Sequence, residues 1–278
     1  MSYRIVGDSC TDWTEEMKQD PHYVSVPLTL EIGDYQVIDD AHFDQKDFLR
    51  RVKESPVGPK TACPSPESFR EAYTCDAEDI YVVTLSSHLS GSYNSARVGM
   101  ELCQEERPDR HIKVIDSWSA AAGQTVLALM IREWCELGLS FAEVCAKIDD
   151  FVPRMKTYFV LEDLDTLRKN GRLSGMTAFI ATALNIKPVM SATEGVIEKL
   201  DQCRGIKRSL TRMVDLAIAK CGDTSDRLAV ISHCNNPERA AFVKGLMEQK
   251  SSFRKILITE TAGVATTYAE DGGIVLAF

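Results

Sequence analysis

Short apolar runs alternate along this chain with longer stretches in which apolar residues recur every three or four positions, the pattern of an α/β protein. In the first half the runs Arg4–Gly7, Tyr23–Thr29, Ile80–Leu85 and His111–Ile115 read as strands. Between them, Phe48, Leu49 and Val52 share one face of a helix over Gln45–Glu54, and Phe69, Ala72 and Tyr73 one face of a helix over Pro66–Tyr73. Pro66 suits the first turn of that second helix, and Ser65 its cap. Further helices are predicted over Ser92–Glu106, over the unusually apolar Gln124–Leu137 and over the amphipathic Phe141–Val152. Past Pro153 a second series begins, with strands at Thr157–Leu161, Lys187–Ser191, Ile197–Asp201, Arg227–Ser232, Lys255–Thr259 and Gly273–Phe278. Its helices are expected at Lys207–Ala219 and Pro237–Gln249. The segment Ser174–Leu184 is apolar nearly all round, which predicts a buried helix. Two α/β domains are expected, 1–153 with a mainly parallel sheet and 154–278, with a small-molecule site in the cleft between them.

Composition narrows the function classes. The 278 residues carry 44% hydrophobic and 26% charged side chains, the balance of a soluble globular protein with a sizeable core. Acidic residues outnumber basic ones 41 to 32, and no Lys/Arg cluster is longer than a pair such as Arg50-Arg51, which argues against nucleic-acid binding. Nine cysteines include no C-x-x-C pair, so they read as reduced thiols packed as small apolar residues rather than as metal ligands. The start of the chain reads as a strand rather than a signal peptide, and the longest strongly apolar run, Val126–Ile131, is too short to span a bilayer. A cytoplasmic protein is expected.

Candidate chemistry concentrates in two hydroxyl-rich segments, Lys60-Thr61-Ala62-Cys63-Pro64-Ser65-Pro66 and Leu85-Ser86-Ser87-His88-Leu89-Ser90-Gly91-Ser92. The second ends a strand and opens a helix, so backbone N–H groups and hydroxyls there converge on one point with a partial positive charge. That arrangement suits a phosphate or a carboxylate. Asp8-Ser9-Cys10-Thr11-Asp12 follows the first strand and is expected at the same sheet edge. Ser90-Gly91-Ser92 is no nucleophile elbow, because His88 stands where the first glycine belongs, and no histidine shows a base-partner pattern. Nor is there a dinucleotide fingerprint. Binding without chemistry is the better reading. Arg168–Ser174 reads as a helix end, a glycine stop at Gly171 and a new cap, with the Arg172 guanidinium able to reach either the cleft or a partner's acidic surface. The small residues of Ser174–Leu184 allow close packing or leave a channel for an alkyl chain.

Taken together these motifs resemble the DegV family, nearly end to end. Asp8-Ser9-x-x-Asp12, Lys60-Thr61-x-x-Pro64-Ser65, Ser86–Tyr93, Asp116-Ser117, Leu164–Ser174, Ile186-Lys187-Pro188 and Glu194-Gly195 are similar to that family's motifs in order and spacing. The resemblance implies a two-domain protein enclosing one long-chain fatty acid, with no cofactor and no catalysis of its own. Some members present the carboxylate to a separate ATP-dependent fatty acid kinase subunit, which makes an acyl-phosphate for phospholipid synthesis. By position Thr61 and Ser90 are the implied carboxylate ligands, helped by backbone N–H groups at Gly91, and Arg172 and Arg204 the implied kinase-docking residues. Thr261 occupies the position of a headgroup histidine of the family, and cannot carry that residue's charge. Ala121, Leu127, Phe179 and Ile180 are the expected walls of the acyl chain. Two rivals stand beside this reading: a hydrolase or transferase using the same Ser/Thr loops, and a lipid-loaded regulatory or interaction protein.

Overall fold

A computed structural model describes residues 2–173 and 185–278. The first half runs β1 (Tyr3–Asp8), α1 (Glu15–Gln19), β2 (Tyr23–Val26), β3 (Thr29–Ile32), β4 (Tyr35–Ile38), α2 (Gln45–Glu54), β5 (Lys60–Ala62), α3 (Pro66–Tyr73), β6 (Asp79–Thr84), α4 (Ser92–Glu106), β7 (His111–Asp116), α5 (Ala122–Glu136) and α6 (Phe141–Phe151). The second runs β8 (Thr157–Val160), α7 (Asp165–Lys169), β9 (Ile186–Thr193), β10 (Val196–Arg204), α8 (Ile206–Cys221), β11 (Leu228–His233), α9 (Pro237–Lys250), β12 (Lys255–Glu260), α10 (Gly263–Ala269) and β13 (Ile274–Ala277).

Strands β2-β1-β6-β7 form an all-parallel sheet, and β10-β9-β8-β13-β11-β12 a mixed one. Strand β6 is buried along its whole length, as a central parallel strand covered on both faces must be. Helix α5 explains its own composition. It packs against β1 and β6 of the first sheet and against β11 and β13 of the second, so no face meets water over its first two turns. Leu127, predicted as a cavity wall, is spent in this layer as a fully buried core residue. Pro153 lies in a 3₁₀ turn, Val152–Arg154, joining α6 to β8.

The structure departs from the sequence reading at one predicted strand and adds elements that the reading did not include. The strand predicted over Tyr23–Thr29 divides into β2 and β3 around Pro27, which has no N–H to offer a ladder. Strand β3 then turns through Gly33-Asp34 into β4 and pairs on its other side with β5, forming a small antiparallel sheet that the first-half pattern did not predict. Helix α10 also lacked a periodic signal. The predicted helix Ser174–Leu184, with Phe179 and Ile180, lies outside the described residues.

A cavity between the two halves and the residues at its polar end

The loops that follow the strands' carboxyl ends in the first half meet the second half around a cavity with about 780 Å³ of empty space, part of it open to solvent. The first half contributes Cys10, Thr61, Leu85, Leu89, Ser90 and Ala121 to its wall. The second contributes Phe159, Leu161, Ile197, Val275, and Val264, Ala265, Tyr268 and Ala269 of α10. The lining is almost entirely carbon. Two hydroxyls on the wall, Ser119 and Thr157, satisfy each other at 2.6 Å across the two halves and so present little unmet polarity.

The polar groups gather where the two hydroxyl-rich segments meet. Thr61 stands on β5, and its hydroxyl lies 2.9 Å from the phenol oxygen of Tyr268. Ser90 sits just before α4, where its Oγ accepts from the backbone N–H of Ser92 at 3.2 Å. Arg172 completes this end: its Nε donates to the Leu89 carbonyl at 3.1 Å, and its guanidinium lies 5.6 Å from the Tyr268 ring centre. Of the sequence-predicted residues, the cavity therefore brings together Thr61, Ser90, Ala121 and Arg172. Gly91 is exposed beside them as the N-cap of α4, where an added Cβ would press to 3.0 Å from the Cys63 sulfur. Arg204 is exposed at the end of β10, away from the lining.

Thr261 is displaced from the expected position at the headgroup. It is buried behind the wall, where its hydroxyl lies 2.8 Å from that of Thr266 and accepts from the Gln45 side-chain amide at 3.1 Å. Leu127 and Thr261 both depart from the expectation for the same reason, since packing and internal hydrogen bonds already use their side chains.

The Asp8-Ser9-x-x-Asp12 motif is structural in a specific sense. Asp8 accepts from the N–H of Leu85 at 2.8 Å and from the Gln124 amide at 2.9 Å, tying the ends of β1 and β6 to α5. Asp12 accepts from the N–H of Ala262 at 2.8 Å. Asp39, which the sequence did not single out, accepts from Gly263 at 2.7 Å and Val264 at 2.8 Å. Two carboxylates of the first half thus receive the leading N–H groups of α10, the helix that carries Tyr268 and much of the wall. Burial pushes Asp8 up to about 6, Asp12 up to about 7 and Asp39 up to about 6 against the hydrogen bonds that favour ionisation. Glu194-Gly195 forms the tip of the β9–β10 hairpin, both residues with positive φ. The tip reaches across to the first half, where Ser86 Oγ donates to the Gly195 carbonyl at 3.2 Å. A Cβ at Gly195 would lie 2.4 Å from that same oxygen, so glycine is required twice over, by φ and by space.

A family model described as an uncharacterised protein of the DegV family matches residues 2–278. The chain belongs to the DegV family. A DegV domain-containing protein of Streptococcus gordonii is 34% identical over 281 residues, spanning 100% of this chain and 99% of that one. Among solved DegV structures, one from Ruminococcus gnavus refined with vaccenic acid superposes with a TM-score of 0.97 at 44% identity, covering both chains in full (100% each). The Streptococcus pneumoniae fatty acid kinase B3 protein loaded with linoleic acid gives 0.91 at 32% identity, covering 100% of this chain and 99% of that one. A DegV protein from Eubacterium eligens loaded with heptadecanoic acid gives 0.91 at 28% identity, with 99% of each chain covered. The mixed α/β architecture expected from the pattern is thus that of DegV structures. No helix among the described residues is long and apolar enough to cross a membrane.

Proposed function

We propose that this DegV protein holds one long-chain fatty acid in the cavity between its halves and presents the carboxylate to a separate ATP-dependent kinase subunit. The observation that carries this reading is the composition of the cavity: a carbon-lined chamber whose hydroxyls, apart from the self-satisfied Ser119–Thr157 pair, collect at one end as Thr61, Ser90 and Tyr268. An acyl chain gains about 0.8 kcal/mol per buried CH₂ before ordering costs, so the chamber supplies the affinity and the polar end the orientation. Thr61 and Ser90 then fix the carboxylate, with backbone N–H groups near Gly91 assisting, and exposed Arg204 is offered to the kinase. The solved relatives loaded with vaccenic, linoleic and heptadecanoic acids support the ligand class, and the fatty acid kinase B3 protein among them supports the kinase role. In this reading the chain performs no catalysis. His88 is exposed and off the cavity wall, which leaves Ser90 without a positioned base among the described residues.

Reconstitution tests the reading. Lipid-loaded protein, a fatty acid kinase subunit and ATP should yield acyl-phosphate, and omission of any one should abolish it. Turnover of a lipid by this chain alone would contradict it.

A further inference from the structure

The last strand of a sheet leaves its outer N–H and C=O groups unpaired, and proteins ordinarily blunt such edges with short strands, bulges or charges within the strand. Most edges of this chain are blunted in those ways. Strands β2, β4 and β5 are only three or four residues long, β10 bulges between Lys199 and Asp201, and β7 carries Lys113. Strand β12 has none of these protections. It is the six-residue run Lys255-Ile256-Leu257-Ile258-Thr259-Glu260, in unbroken register with β11 and unpaired on its outer side among the described residues. The Thr261 N–H donates to the His233 carbonyl at 2.9 Å, which is the inward half of the ladder's alternation. Ile256, Ile258 and Glu260 therefore turn their backbone groups away from β11. Ile258 is also 37% exposed, among the most exposed large apolar side chains of the molecule.

Both faces beside this edge are open. On one, Leu129, Leu228 and Leu257 line a surface groove between β12 and α5. On the other lies α9, whose Arg239 and Lys250 reach Glu162 and, on α8, Asp215. At about 100° per residue, Ala241, Lys244 and Glu248 line the opposite flank of α9, above β12, where Lys244 and Glu248 pair at only 3.8 Å. The strand is also charged asymmetrically. Lys255 at its start and Glu260 at its end are exposed, and neither has an ion-pair partner among the described residues.

We propose that β12 is a self-association strand, through which two copies of this chain pair antiparallel about a two-fold axis at Leu257 and join their mixed sheets into one. Ile256 of each copy then lies opposite Ile258 of the other, and the outward groups exchange about four backbone hydrogen bonds. The Lys255 end of one strand meets the Glu260 end of the other. A parallel pairing would instead set like charges together and would not close on itself. A ladder this short falls below the roughly 1,000 Å² of a stable interface, so the flanks supply the remainder. Leu257 meets its counterpart beside the leucine groove, and Lys244 on α9 meets Glu248 of the second copy. Strand β10, which ends in Arg204, is the opposite edge of the same sheet, so the inference does not depend on the fatty-acid reading.

Sedimentation velocity of the full chain over about 1–100 μM tests this. A species of twice the chain mass is expected to accumulate across that range. Ile258→Lys, which puts a charge on the outer edge, is expected to raise the dissociation constant at least about tenfold. Lys255→Glu and Glu260→Lys are each expected to weaken association. The double variant is expected to return to within about threefold of wild type, because only contact between the two ends makes the reversals compensate. Wild type that stays monomeric throughout overturns the proposal, even if the edge captures a strand of some other protein. A dimer that withstands Ile258→Lys overturns it too, as does a double variant no better than the single ones. Should Ile258→Lys not fold, the charge exchange at two exposed positions decides alone.

Discussion

Ser90 illustrates how much one side chain at the polar end is asked to do. Its Oγ accepts from the Ser92 N–H, and it stands within 3.2 Å of the Ser92 hydroxyl. In the proposed reading its own proton is what it offers a carboxylate. Replacing Ser90 by alanine therefore removes a donor to the ligand and also releases an N–H at the start of α4. The expected cost is about 1–3 kcal/mol in fatty-acid affinity, read by calorimetry on delipidated protein, and unchanged affinity would take Ser90 out of the site. Thr61 and Ser90 were legible in the sequence because hydroxyls and glycine adjoining a strand end form a local signal. Tyr268 was not legible, since its partnership with Thr61 spans 207 positions and no nearby residue advertises it. Thr261 shows the converse. It stands in place of a motif histidine and was expected at the headgroup, yet Gln45 and Thr266 occupy its hydroxyl.

Among the elements, α10 and the start of α5 show what periodicity cannot reveal. Helix α10 contains adjacent β-branched residues, Thr266 and Thr267, and spans only seven residues, so it has weak intrinsic reason to form. Asp12 and Asp39 supply the reason by accepting its leading N–H groups from across the molecule. Helices α2 and α3, by contrast, carry their caps in Asp44 and Ser65 and were placed to the residue. Before α5, Ala121 adopts φ 53° and ψ −121°, and the Gly123 N–H reaches the Ala120 carbonyl at 3.1 Å. Those angles are the first central position of a type II′ turn, where glycine is preferred. Ala121→Gly is thus expected to raise stability by about 1 kcal/mol despite glycine's backbone entropy, measured by denaturant unfolding. A loss of stability would show that the methyl group's packing on the cavity wall outweighs the strain. At the β9–β10 tip, Gly195→Ala is expected to cost about 1–3 kcal/mol and to loosen the tip from Ser86, seen as faster amide exchange in β9 and β10.

For the whole molecule, buried carboxyls fix a pH dependence, Asp12 and Asp39 on the seam between the halves and Asp8 within the first half. Asp8, Asp12 and Asp39 are all raised in the folded protein, chiefly by burial. Each therefore contributes stability in full below about pH 4, where the unfolded chain also protonates, and loses it as pH rises through 6 to 7. Glu162, whose burial is outweighed by hydrogen bonds from Lys187 and Arg239, is held below its ordinary range and loses its contribution only at lower pH. The melting temperature is expected to fall between pH 5.5 and pH 8. One oxygen of Asp12 is buried without a hydrogen-bond partner among the described residues, so Asp12→Asn is expected to add about 1–3 kcal/mol at pH 8 and little at pH 5. An equal effect at both pH values would show that ionisation of Asp12 is not what limits the seam.

The α/β character of each half was readable from alternating runs, but the seam was not, because its contacts join residues 38 to 250 positions apart. The cavity lies on that seam, and its content is the central claim. Mass spectrometry of freshly purified protein, native and then denatured, tests it most directly. The account predicts a native mass exceeding the chain by one long-chain fatty acid, released as a free acid on denaturation. A native mass equal to that of the bare chain, with no fatty acid taken up afterwards, would contradict it.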